Sequence, residues 1–478
     1  MSMASNVKRI AFVAPPIGLE ERYGRLAGAG SSMPSLGLLS LAAVTRRAGV
    51  ETHIVEASAM GLSYREVIEK LTAIRPDVVG LTATTLSVYN AHETAKGVKE
   101  ALPGTLTVVG GPHVSAVPEE TLGRFPLFDM AVIGEGEDTV VELLDALSGG
   151  RGPSTVPGLA VRTDGKVMLT GPRPFIKELD SLPLPAWDLM PGFPAAFRPA
   201  PFRYRQLPAA ILVTSRGCPN RCIFCDRTVF GRTCRFFSAD YVMGMIKELR
   251  ERYGVREIEF EDDTFVVNRA RVMDICDRLK SSGWGMSWSC LGRVDTVSRD
   301  MLKAMKGAGC WQISFGIESG DQGVLDLVEK KIKLEKAREA LAWAKEAGLM
   351  TKGFFILGFP TETKATMQKT IDFAKGNAVD DISVFKLTPL PGSKIYEMAH
   401  NYGRFDDDWR KMNLLETVFV PEGLTEADLD EYTRRMMREF YFRPKVVLSY
   451  LGRLARNPSH LFALVRGFAA FMNTVSRK

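Results

Sequence analysis

The stretch AILVTSRGCPNRCIFCD, residues 210–226, decides how this chain is to be read. Residues 210–214 are apolar and rich in strand-forming types, so they predict a short buried strand. Directly behind it stand Cys218, Cys222 and Cys225, a C-x3-C-x2-C spacing inside a single loop. Three thiolates so placed suit a cuboidal iron–sulfur cluster, whose usual protein ligand is cysteine. Such a cluster takes four ligands, so three local cysteines leave one metal position open to a substrate, as in catalytic as opposed to structural metal sites. The same spacing has a second reading, a zinc site completed by Cys234 or three unrelated buried thiols. Zinc ribbons use two C-x2-C knuckles, and this chain has no second knuckle.

Working outward, the strand at 210–214 opens an alternating series. Further strands are predicted at 257–261, 286–290, 312–317, 351–357 and 381–385, with helices at 238–253, 268–281, 298–308, 334–347 and 364–376. Six strands with intervening helices over residues 209–392 predict a partial (β/α)6 TIM-like barrel whose site lies on the loops after the strands. Upstream, residues 1–148 repeat the alternation with strands at 10–14, 53–56, 77–82, 105–109 and 130–133 and helices at 36–47, 64–74 and 91–102. This predicts a Rossmann-like parallel sheet, with ligand beyond the strands' carboxyl ends at residues 31–37, 82–90, 110–115 and 134–138. Between the two, residues 149–208 are punctuated by proline and read as a linker or strap that opens on a hairpin near 159–168. Residues 393–478 read as a helical segment. Its last helix is capped by Asn457 and Pro458 and striped by Leu461, Leu464, Val465, Phe468, Phe471 and Met472. The fold class is therefore α/β.

The 478 residues are 45% hydrophobic and 25% charged, which excludes a disordered tail, a collagen-like chain and a disulfide miniprotein. Seven cysteines, an odd number, fit a reducing compartment, and no run of about 18 apolar residues is present to span a membrane. The opening MSMASNVKRIAFVAPP lacks the apolar stretch of a secretory signal, so the cytoplasm is the expected location. The net charge of +6 is an average over unlike parts. Residues 442–478 hold Arg443, Lys445, Arg453, Arg456, Arg466, Arg477 and Lys478 and no acid, whereas residues 1–441 hold 55 basic and 56 acidic groups, a net of −1. A basic tail with an apolar stripe reads either as a helix docked on the barrel with solvated charges or as a peripheral contact with an anionic membrane. The charge does not suggest a nucleic-acid partner.

With these motifs in hand, the chain resembles the radical S-adenosylmethionine (SAM) superfamily, whose signature is C-x3-C-x2-C after the first strand of a partial barrel. The resemblance covers about residues 209–390. It implies that Cys218, Cys222 and Cys225 hold a [4Fe–4S] cluster whose fourth iron is chelated by SAM, and that Phe224 lies against the adenine. It further implies SAM contacts from Arg293, from Glu318 and from Gly358 in the run Gly358-Phe359-Pro360. The family often ends its second strand in Gly-Gly-Glu to bind the methionine amino group. Here that strand ends Glu259-Phe260-Glu261-Asp262-Asp263, so Glu261 and Asp262 become the candidate ammonium ligands.

The resemblance extends upstream to the cobalamin-binding domain fused to one branch of the superfamily. It is carried by Pro34 to Ala43, Asp77 to Thr82, Val109-Gly110-Gly111-Pro112-His113 and Ile133-Gly134-Glu135-Gly136-Glu137. It implies cobalamin contacts from Ser35, Leu36, Thr82, Thr84, Ser87, Gly110, Gly111, His113, Gly134, Glu135 and Gly136. The first loop, residues 15–24, has no histidine to serve as a lower cobalt ligand. The implied activity is SAM- and cobalamin-dependent methylation of an unactivated carbon in a small-molecule, tetrapyrrole or lipid-like substrate, with an external electron donor of flavodoxin or ferredoxin type. Two alternatives stand beside it, a radical cyclisation or rearrangement like that of the anaerobic magnesium-porphyrin cyclase, and a non-catalytic cofactor sensor. The sequence singles out no catalytic side chain.

Overall fold

The computed structural model describes residues 7–200, 203–456, 465–469, 471 and 472. The chain forms two compact units. One comprises the residues up to Gly18 together with Ser32–Arg198 and Asp226–Arg235, and the other comprises Leu19–Ser31, Pro199–Cys225 and the chain from Phe236 onward.

The first unit is built on strands β1 (Arg9–Ala14), β2 (Glu51–Glu56), β3 (Val78–Thr82), β4 (Leu106–Gly110), β5 (Met130–Val132), β6 (Leu159–Thr163) and β7 (Lys166–Leu169). Their order is β2-β1-β3-β4-β5-β6-β7, with β1 to β5 parallel. Ile10 to Ala14 are all buried, as expected of a strand covered by helices on both faces. One helix begins where side chains satisfy its free N–H groups. Ser63 and Glu66 form a reciprocal capping box ahead of Tyr64–Ile74. Because β2 lies on one side of β1 and β3 on the other, the crossovers part at the carboxyl ends of β1 and β3 and leave a crevice there. The expected strap differs in part. Its hairpin, β6 and β7, pairs antiparallel onto β5 and lengthens the sheet, because the free edge of β5 offers unpaired backbone groups.

The second unit holds β8 (Ala209–Leu212), β9 (Glu257–Phe260), β10 (Ser287–Gly292), β11 (Cys310–Glu318), β12 (Met350–Leu357) and β13 (Asp381–Lys386). They lie side by side in chain order, all parallel, as an open half-barrel. Helices Ala239–Tyr253, Arg269–Ser281, Arg299–Gly307, Leu334–Glu346 and Lys364–Gly376 cover its outside. On that side Phe260, Phe265 and Trp288 pack ring against ring. Trp288 and Trp311 are buried in the core.

Beyond the barrel the chain is not wholly helical. Strands Gly403–Phe405 and Phe419–Pro421 pair antiparallel; three residues per strand are too few to show an alternating pattern in sequence. Helices Glu426–Tyr441 and Pro444–Arg456 follow. The cap expected at Asn457 and Pro458, and Leu461 and Leu464, lie outside the described residues. Among the described residues no helix is long and apolar enough to cross a membrane.

Candidate functional site

The cysteine loop leaves the end of β8 and is held from below by Asp262. This fully buried carboxylate accepts hydrogen bonds from the backbone N–H of Thr214 (3.0 Å), from the Thr214 hydroxyl (3.0 Å) and from the Ser215 hydroxyl. Burial pushes its pKa up to about 6, although these donors oppose the shift. Asp262 therefore anchors the loop, and its oxygens are already committed. Glu261 turns to Arg203, 3.0 Å away.

Within the loop, Asn220 Nδ2 donates to Cys218 Sγ (3.3 Å). The hydrogen bond with Cys225 lowers the Cys222 thiol to about 6, and the positive charges of Lys330 and Arg293 act in the same sense. That favours the thiolate, the form that binds iron. Among the described residues no trio of acids, histidines or cysteines converges on one point as a mononuclear metal site requires. A cuboidal cluster has no such requirement, since each cysteine binds its own iron. The donor set of three thiols in one loop, beside two cations, fits the cluster.

Next to the cysteines, Arg293 reaches Cys222 Sγ at 3.9 Å while pairing with Asp295 and donating to the Lys330 carbonyl at 3.0 Å. Glu318 and Lys330 form an ion pair of 2.7 Å with both side chains under one-tenth exposed. Two features of β11 aim Glu318 there. The register shifts between Gly316 and Glu318, and Glu318 adopts φ +67°, a conformation costly for a non-glycine residue and typical of functional sites. Gly316 makes room, because a Cβ at that position would lie 2.5 Å from Glu318 Oε1 and 2.9 Å from Lys330 Nζ. Phe224 lies 5.5 Å from Phe359, ring centre to ring centre, with Lys330 Nζ 5.8 Å above the Phe224 ring.

Sequence reasoning missed Lys330 and Glu362. Glu362 is buried and accepts the N–H groups of Gly358 (2.6 Å) and Phe359 (3.1 Å), which fixes the glycine turn at φ +91°. Burial pushes its carboxyl up to about 8. The only sequence signal was an ordinary charged residue, after a strand for Glu362 and between two helices for Lys330, indistinguishable from a surface ion pair. The structure thus brings Cys218, Cys222, Cys225, Phe224, Arg293, Glu318 and Gly358 into the loops at one end of the barrel, where Asp262 is engaged by Thr214 and Ser215 and Glu261 by Arg203.

The first unit offers a different surface. After β3, Thr84 and Ser87 bond each other through backbone N–H and hydroxyl, with Thr82 ending the strand. Gly111 has φ +111°, and a side chain there would meet the Ala83 carbonyl at 2.7 Å and Thr82 Oγ1 at 3.2 Å. Ser115 donates to the Gly111 carbonyl (2.9 Å) and accepts from Gly134 N–H (2.9 Å), tying two glycine loops together. Ser35 caps the helix Leu36–Arg47, its N–H bonded to Glu56 at 3.0 Å. His113 is buried beside Thr85, and burial drives its pKa down to about 3, so it is neutral. Glu135 is committed to Arg235 through both oxygens (2.9 and 2.7 Å) and also accepts Ile176 N–H. Gly136 caps the helix Glu137–Ser148. This shelf of glycine and small hydroxyl residues, from which a Cβ is sterically barred at Gly111, fits the close approach of a flat macrocycle.

Comparison with known proteins agrees with both halves. The Radical SAM superfamily profile matches residues 212–374 and the B12 binding domain profile matches residues 24–144. Over 444 residues the chain is 36% identical to an uncharacterised methyltransferase, PH0819, of Pyrococcus horikoshii, covering 92% of this chain and 94% of that protein. It is 29% identical to the anaerobic magnesium-protoporphyrin IX monomethyl ester cyclase of Cereibacter sphaeroides, over 93% of this chain and 72% of that one. Its fold superposes on the cobalamin-dependent SAM radical enzyme OxsB with a TM-score of 0.75 at 17% identity, covering 98% of this chain and 72% of that one. The chain belongs to the cobalamin-dependent radical SAM enzymes, with a B12-binding domain ahead of a radical SAM barrel. It is an enzyme of that family, and its cofactors are a [4Fe–4S] cluster, SAM and cobalamin.

Proposed function

We propose that this enzyme transfers a methyl group to an unactivated carbon of a small molecule, and that the Glu318–Lys330 pair with Arg293 holds SAM at the cluster. The cofactors supply one-electron reductive chemistry and a methyl carrier when bound. The chain's own residues bind, orient and exclude water. The observation that carries the reading is the buried Glu318–Lys330 pair beside Cys222. A zwitterionic amino-acid moiety needs one anionic and one cationic partner out of water, and this pair supplies both at the mouth of the cysteine loop. Phe224, half-buried and packed near Phe359, offers flat apolar surface for an adenine, and Glu362 holds the turn beside them. In the first unit, Thr82, Thr84, Ser87, Gly110, Gly111 and the loop at Gly134 form the shelf for cobalamin, with His113 held at Thr85 and Glu135 at Arg235.

The test is anaerobic reconstitution with iron, sulfide and cobalamin, followed by a strong reductant and methyl-labelled SAM. We expect 5′-deoxyadenosine to form, and label to pass to a small-molecule acceptor. Absence of both cleavage and corrin binding overturns the reading, and cleavage with ring formation in place of label transfer points to the cyclase alternative. In the cell an external flavodoxin- or ferredoxin-type protein would supply the electron.

A peripheral membrane contact is a second proposal, supported by the exposure of Phe442, Val447, Leu448, Leu451, Val465 and Phe468 in an acid-free segment. Each cation near anionic lipid is worth about 1 kcal/mol. Co-sedimentation with anionic vesicles should fall when residues 442–478 are removed; equal binding of both forms discards it.

A further inference from the structure

The half-barrel has an inner face as well as the helix-covered outer one. Strand register places Ile211, Glu259, Ser289 and Gln312 in one row across β8 to β11. Lys352 and Asp381 pair across β12 and β13 on the same side. Further along the strands the same face is apolar and partly open, with Leu291, Phe354, Ile356 and Phe385 half-buried, and Phe354 and Phe385 lie 6.3 Å apart. With every acid ionised, the floor carries one more negative than positive charge. Arg203 pairs with both Glu259 and Glu261, so one guanidinium serves two carboxylates. Lys352 does not make up the difference, since its ammonium is 3.2 Å from Asp381. Beside Glu259 lies Ser289, only 3% exposed, whose hydroxyl has no hydrogen-bond partner among the described residues, an arrangement costly enough in a protein interior to call for an explanation.

We propose that this floor binds the head group of the substrate, and that the head is an amine on a largely hydrocarbon body. The proposal rests on the reading that the barrel transforms a small molecule. An ammonium adds the one positive charge the floor lacks and can donate to Glu259, Glu261 and the Ser289 hydroxyl together. A carboxylate head would add a further negative charge beside Glu261, and an alcohol would bring no cation and leave the Glu259 carboxyl to keep its proton. The apolar wall accepts the remainder. Burial, and the hydrogen bond with Glu261, hold the empty Glu259 carboxyl protonated up to about pH 7. Amine binding below that pH therefore expels a proton to solvent. The charged groups facing Glu259 are Arg203 from the segment before β8, Glu261 on its own strand and Lys352 from β12. Asp381 from β13 faces Lys352. At this level β8, β10 and β11 contribute only Ile211, Ser289 and Gln312.

Calorimetry on the reconstituted full chain with octylamine, octanol and octanoate tests it. We expect octylamine to bind at least about tenfold more tightly than octanol, and octanoate not to bind. Amine affinity should rise about tenfold from pH 6 to pH 8, as expected for one group titrating near 7. Glu259→Gln should abolish that pH dependence and weaken the amine about tenfold. Ser289→Ala should weaken it severalfold while keeping the pH profile, and serves if Glu259→Gln does not fold. Equal binding of the three probes, a preference for octanoate, or an unchanged Glu259→Gln profile overturns the inference. SAM cleavage by the same wild-type preparation separates the failures: cleavage without amine selection defeats this inference alone, and no cleavage defeats the function proposed above.

Discussion

In the function proposed above, the mouth of the barrel and the shelf on the first sheet would solve two recognition problems by opposite means. The barrel mouth is built from buried charge: Glu318, Lys330, Arg293 and the lowered Cys222 thiol. The shelf is built from backbone, glycines and short hydroxyls, and its one histidine is neutral. A small zwitterion offers little area, so its affinity must come from charge in a low-dielectric setting. A macrocycle offers a broad face, so the protein gains more by approaching closely than by charge. Substitutions in the two regions should therefore fail differently, and independently of one another.

The largest effect should follow Cys222→Ala. We expect loss of the cluster's visible absorption and of SAM cleavage, with cobalamin binding retained; joint loss of iron and corrin would mean that the regions are not independent. Next is Lys330→Met. Removing one partner of a buried ion pair leaves Glu318 uncompensated, at a cost of about 3–5 kcal/mol. SAM affinity should fall by at least about a hundredfold, and Lys330→Arg should restore part of it. Equilibrium binding of SAM to the reconstituted protein reads both.

Gly111→Val should weaken cobalamin by about ten- to a hundredfold and leave iron content unchanged, because the side chain collides with the Ala83 carbonyl in a conformation that valine avoids. Corrin retained after gel filtration measures it, and unchanged retention would remove the shelf from consideration.

The smallest effect is thermal. Glu362 titrates near its ordinary 4.5 when unfolded and about 8 when folded. Between those values the folded state keeps a proton that the unfolded state has lost, so stability declines as pH rises through the window. Glu362→Gln cannot ionise, and its Tm relative to wild type should climb by several degrees between pH 5 and pH 8.5. A constant difference would show that the carboxyl is already ionised in the fold.

Much of this was legible in the sequence. The six barrel strands were predicted within about three residues of their observed ends, because each is a short apolar run bounded by amphipathic helices. The helices Leu36–Arg47 and Tyr64–Ile74 agree with the expected spans for the same reason. Three cysteines in one loop are a local feature, and no fold is needed to see them. What escaped were interactions between residues far apart in the chain. Asp262 looked like a ligand and proves to be the anchor of Thr214 and Ser215. Glu135 looked like part of a glycine loop and closes an ion pair with Arg235, one hundred positions on.

The sequence alone determined the layout, a parallel sheet followed by a half-barrel with its cysteines after the first strand, since periodicity and loop chemistry act over a few residues. Only the tertiary structure decided which charges are spent and which are available. Glu318 met Lys330 through a bulge, Gly316 cleared the space between them, and Arg203 came to serve two carboxylates. Burial and pairing depend on what lies across the fold, and that sets the work a charged side chain can do.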